Sequence, residues 1–201
     1  MKDEIYQLIN KYGKVIAQQE ELASDDTKIY LKVGHKIYVT DDSVDIGNIN
    51  EEDIILADDA QIECRILREN DKINGLVVSN TAFLARTRNE GSHVYAVVDD
   101  MAQIVGAEVK IVDYNYNDIK KALKKSAGVM VKERYTITTG RTLYEAVVAL
   151  TVLEKSAEIN LKASVIGGGK RIPKIEAILM REIYKKNYSK GEMKWKTENE
   201  N

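Results

Sequence analysis

Two histidines, His35 and His93, and one cysteine, Cys64, are the whole stock of imidazole and thiol metal ligands in the 201 residues. No H-x-H, H-E-x-x-H or C-x-x-C pair joins them, so a zinc site of usual spacing is not supported. His35 follows Gly34 at the tip of an expected hairpin, where a solvated imidazole is the plain reading. His93 follows Gly91-Ser92 in a loop, and an imidazole there can still exchange a proton near neutral pH. Cys64 lies in an amphipathic segment with no histidine nearby in sequence, which suits a buried structural thiol better than a nucleophile. Gly167-Gly168-Gly169 before Lys170-Arg171 imitates a phosphate loop. Such a loop needs a strand before it and a helix directly after its Lys-Ser/Thr; here a helix comes before and Ile172-Pro173 after. The run reads instead as a helix end with left-handed glycines. Lys120, Lys121, Lys124 and Lys125 read as a solvated helix face. Asp58-Asp59 and Asp99-Asp100 are loop carboxylates with no evident catalytic partner.

The elements that must position any chemistry follow from hydrophobic period. Leu143, Ala146, Val147, Leu150, Leu153, Ala157 and Leu161 recur at helical spacing behind Thr142-Leu143-Tyr144-Glu145, a capping box. Ahead of that helix, Val129–Val131 and Tyr135–Thr139 read as strands joined by the polar turn Lys132-Glu133-Arg134. Residues 3–22 predict an amphipathic helix, and Lys28–Val33 with Lys36–Thr40 a β-hairpin. Short strands are expected at 54–56, 75–78, 94–98 and 108–112, and helices at 60–69, 81–88, 101–106 and 119–126. Pro173 opens a last helix, Lys174–Tyr188, with Ile175, Ile178, Leu179 and Ile183 expected inward. This alternation predicts an α/β (α+β) chain with one domain over 1–189 and a charged, flexible tail over 190–201, where Trp195 could dock.

Composition narrows the partners. The charged share is 31% and the net charge −2, without the concentrated basic face of a nucleic-acid binder. A single cysteine excludes an intramolecular disulfide, no stretch is long and apolar enough to span a membrane, and the opening MKDEIYQL lacks the apolar run of a signal peptide. A cytoplasmic protein with no nucleic-acid or membrane partner is expected.

Three stretches resemble the class II aldolase/adducin family, over nearly the whole chain. The first is Ile37-Tyr38-Val39-Thr40, with Asp45 and Glu51-Glu52-Asp53-Ile54-Ile55 behind it. The second is Asn74-Gly75-Leu76-Val77-Val78-Ser79-Asn80-Thr81. The third runs from Ala127 to Ala146, and Leu153-Glu154-Lys155-Ser156-Ala157 matches the helix beyond it. The resemblance implies a central antiparallel sheet flanked by helices, often in a tetramer, and a sugar-phosphate aldolase or epimerase. In such enzymes three histidines hold a divalent metal that stabilises an enediolate, and a glutamate moves the proton. Aligned on those motifs, the first two histidines fall on Ser79 and Thr81 and the third on Arg134, with Tyr135 where a glycine follows it. Ungapped counting puts Ala60 at the glutamate, and a small gap brings Glu63 there. The Gly-Asn segment that clasps substrate phosphate is not recognisable between Asp25 and Val33.

A guanidinium has no free lone pair and stays charged, and a hydroxyl does not replace imidazole on zinc. No cofactor is therefore expected. The leading expectation is a noncatalytic interaction or regulatory subunit, as a homo-oligomer or with a metal-bearing relative. The alternative is metal-independent binding of a phosphorylated sugar or other small anion by Arg134, with Ser79, Asn80, Thr81, Lys132 and Tyr135 as further contacts. An atypical aldolase or epimerase using Glu63 or His93 is the third.

Overall fold

The computed structural model describes residues 2–199 apart from 23 and 43, with backbone alone beyond 186. The hairpin forms as expected from β1 (Lys28–Val33) and β2 (Lys36–Thr40), Gly34 taking φ +60° in its turn. With β3 (Ile54–Leu56), β4 (Gly75–Ser79), β7 (Ile111–Val112), β8 (Gly128–Val131) and β9 (Thr136–Gly140) it builds a seven-stranded sheet ordered β3-β2-β1-β4-β9-β8-β7. Neighbours are antiparallel except β7 on β8. β5 (Val94–Tyr95) and β6 (Glu108–Val109) form a separate pair, so the expected strand over 108–112 is split at Lys110 between two sheets.

Both faces of the sheet are covered, which explains strands that are apolar on both sides. Ile29 and Leu31 of β1, Val77 of β4 and Met130 of β8 pack on α1 (Lys2–Ala17), α3 (Ala82–Asn89) and α5 (Leu143–Val165). The alternate residues Tyr30, Leu76, Val78, Val129 and Val131 pack on α2 (Ile62–Arg68) and α4 (Tyr116–Leu123). Helix α1 stops at Ala17, short of the expected 22, and a 3-10 turn at Glu20–Leu22 buries Leu22. Residues Met101–Val105 form a π-turn, closed by the Gly106 N–H on the Met101 carbonyl at 2.7 Å.

Helix α5 starts on the Thr142 hydroxyl, which accepts the Glu145 N–H at 3.2 Å. The Glu145 carboxylate takes the N–H of Arg141 at 2.8 Å, one residue earlier than a standard box. Gly75 and Gly140 face each other across β4 and β9, and a Cβ on them would lie 2.6 Å and 2.5 Å from backbone atoms of α5. The glycine pair lets the helix start rest directly on the sheet. Gly167 and Gly168, at φ +101° and +93°, end α5 as the sequence suggested.

Helix α6 (Lys174–Asn199) corrects one expectation. Ile175, Ile178, Leu179 and Ile183 are exposed, Ile175 by 85%, whereas Ala177 is fully buried. Ala177 and Arg181, four apart, share the inward face, and the Arg181 guanidinium donates to the carbonyls of Ile104 (2.8 Å) and Val105 at the π-turn. Burial holds that guanidinium down at about 10. This anchorage turns the isoleucine row outward. The expected flexible segment 190–201 continues α6 in its backbone to Asn199; the Trp195 side chain lies outside the described residues.

Candidate functional site

A cavity of about 430 Å³ opens at one end of the sheet on the α2 side. Its floor is built from alternating strand positions, Tyr30 of β1 and Val78 of β4, and from Glu63 on the first turn of α2. Glu63 is 4% exposed. One of its oxygens takes the Tyr135 phenol at 2.5 Å; its other oxygen has no hydrogen-bond partner among the described residues. Tyr30 donates its hydroxyl to the Gln61 side chain at 3.3 Å, and burial and then Glu63 push both phenols well above the usual tyrosine range. Both remain protonated donors at neutral pH.

The turn between β8 and β9 forms the roof. Glu133 takes φ +57° there, which aims Arg134 and Tyr135 back over the cavity. The Arg134 guanidinium carbon sits 4.0 Å from the centre of the Tyr114 ring, and Tyr114 stands edge-on to Tyr135. The rim carries Asp25 and Asp26 ahead of β1 and Asp41 and Asp42 after β2. The wall thus holds five carboxylates against two cations, Lys28 and Arg134, and Lys28 is paired with Asp42.

Of the residues that the sequence singled out, Glu63, Arg134 and Tyr135 meet in this cavity. Ser79 does not line it: one residue past Val78, it points to the opposite face of the strand. Its fully buried hydroxyl bonds Thr27 at 2.9 Å. Thr81 is fully buried at the start of α3 and donates to Glu154 at 2.5 Å. Glu154 accepts in addition the N–H groups of Phe83 (2.8 Å) and Leu84 (3.0 Å), so α5 supplies the cap of α3. Asn80 accepts a bond from Arg88 at 2.6 Å, and Lys132 is exposed on the turn outside the cavity. His93 immediately precedes β5, its Nδ1 2.9 Å from Glu108 of β6. Among the described residues no three His, Cys, Asp or Glu side chains are grouped to hold a metal ion.

Sequence reasoning missed the four rim aspartates, Tyr30 and Tyr114. A signal for the aspartates was present, because an antiparallel hairpin brings the residues before its first strand and after its second to one end. Cys64 is fully buried behind Glu63, and burial raises its thiol to about 11, the inert thiol that its setting suggested.

The sequence matches no protein-family model and no curated protein. The fold is nevertheless found among solved structures. An L-fuculose 1-phosphate aldolase aligns with a TM-score of 0.82 over 90% of this chain and 96% of its own, at 17% identity. The L-fuculose-1-phosphate aldolase of Thermus thermophilus gives 0.69 over 83% and 98%, at 15% identity. An aldolase II superfamily protein of Pseudomonas syringae gives 0.67 over 89% and 82%, at 12% identity. The chain therefore has the class II aldolase fold, a mixed α/β architecture with a central sheet flanked by helices.

Proposed function

We propose that this chain is a metal-free, noncatalytic derivative of the class II aldolase fold whose cavity binds a small polar molecule. The carrying observation is the state of the three positions that the resemblance gives to histidine. Two hold hydroxyls turned into the protein, Ser79 on Thr27 and Thr81 on Glu154. The third holds Arg134, a permanent cation without a lone pair to offer. This donor set does not fit a divalent metal, and no step is assigned to one. What is left is a cavity of about 430 Å³ with aromatic walls and a fixed carboxylate, within the size range of small-molecule sites.

The test is thermal melting with chelator, then with zinc or manganese in slight excess, beside an assay of L-fuculose 1-phosphate cleavage. Unchanged melting temperature and no cleavage are expected. A stoichiometric, saturable stabilisation by either metal, accompanied by cleavage, overturns the proposal.

A second reading, an interaction subunit, is favoured by the outward row Ile175, Ile178, Leu179 and Ile183 on α6. Such a row suits association with a second copy of the chain. Light scattering should find an oligomer that Leu179→Lys dissociates; a monomer at all concentrations overturns this reading.

A further inference from the structure

We propose that the cavity takes a small organic cation bearing an ammonium group, and discriminates against phosphorylated molecules. The inference rests on the cavity being a binding site, as above, and adds the charge of its ligand.

Three features point the same way. The first is Glu63, a cavity-lining residue buried to 4% exposure, with one oxygen pinned by Tyr135 and the other without a hydrogen-bond partner among the described residues. A desolvated carboxylate held in one orientation is a strong acceptor for a charged N–H donor. The second is the balance of the walls. Lys28 is consumed by Asp42, and the Arg134 guanidinium lies against Tyr114, which leaves Asp25, Asp26, Asp41 and Glu63 with no ion pair among the described residues. A phosphate placed beneath Arg134 would share the space with those carboxylates and lose more than one guanidinium returns. The third is the aromatic lining, since Tyr30 and Tyr135 line the cavity beside Tyr114, whose ring already holds the Arg134 guanidinium, and aromatic faces attract cations. A neutral polyol could use the acceptors, but it would leave the excess negative charge uncompensated.

A matched series tests this by isothermal titration calorimetry at low ionic strength and pH 6.5: glucosamine, whose amine is protonated, glucose, and glucose 6-phosphate. Glucosamine should bind about tenfold or more tighter than glucose, and glucose 6-phosphate weakest. Glu63→Gln should weaken glucosamine about tenfold and leave glucose within about threefold, with folding checked by the unliganded melt. Arg134→Ala, at an exposed position, should tighten glucosamine about threefold by removing a competing cation. Tightest binding of glucose 6-phosphate, its loss in Arg134→Ala, or equal binding of glucose and glucosamine overturns the inference and leaves the binding site standing. Binding of glucosamine unaffected by either variant also overturns it. Failure of all three sugars to bind overturns both.

Discussion

Replacing Glu154 by alanine removes the acceptor shared by three donors at the start of α3. The Thr81 hydroxyl lies 2.5 Å from the carboxylate, and the amides of Phe83 and Leu84 at 2.8 and 3.0 Å. Glu154 itself is fully buried, so water cannot take its place without a cavity opening. The freed hydroxyl can reorient, whereas two amides lose their partner. Charged hydrogen bonds of this kind put the expected loss of stability at about 3–5 kcal/mol. Urea denaturation followed by circular dichroism reads it directly. Thr81→Val, which deletes one donor, should cost about 1–2 kcal/mol. There is also a pH signature. Burial raises the Glu154 carboxyl above its ordinary range, although the three hydrogen bonds pull the other way. An acid with a raised folded pKa makes the native state bind its proton more tightly than the unfolded chain does. Its ionisation therefore lowers stability as pH climbs from the usual carboxylate range through the folded pKa, and the loss levels off above it. Glu154→Gln should lack that decline. A cost below about 1 kcal/mol for Glu154→Ala would refute the reasoning, because Thr81 would then not be held away from the cavity by this cap.

Three further substitutions probe the parts that shape the site. Glu133→Asn should stabilise the chain by about 0.5–1 kcal/mol, since φ +57° strains a glutamate more than an asparagine, and a lower melting temperature would contradict it. Gly140→Ala should destabilise by about 3 kcal/mol, because its new Cβ would press on the Ala146 amide; a neutral effect in urea titration would show that α5 is not seated on the sheet as described. Arg88 is 7% exposed, and its Nε and Nη1 have no hydrogen-bond partner among the described residues. Arg88→Met should therefore raise stability by about 1–2 kcal/mol, and a loss of that size would mean that the guanidinium is compensated.

Much of this structure could be read from sequence, and the exceptions have physical causes. Helix α5 was legible because seven apolar residues at helical spacing stand behind a capping threonine, and packing then followed the pattern. The β1–β2 hairpin was legible for the same reason at period two. Helix α6 was misread because period fixes a face without saying which face has something to pack on. There Arg181 found the π-turn carbonyls and Ala177 was buried beside it, and four larger apolar residues were left in solvent. The cavity was half legible. Glu63, Arg134 and Tyr135 came from motif alignment, but alignment treats Ser79 and Thr81 as facing where histidines would. Only tertiary partners, Thr27 and Glu154, fix where those hydroxyls turn. The rim aspartates sit in two loops that look like ordinary turns until the hairpin joins them.

The most direct single measurement is elemental analysis of the protein purified without chelators. Zinc, manganese and iron should each fall far below one atom per chain. A stoichiometric transition metal would contradict the reading, because it would require side chains other than Ser79, Thr81 and Arg134 to hold it in this fold.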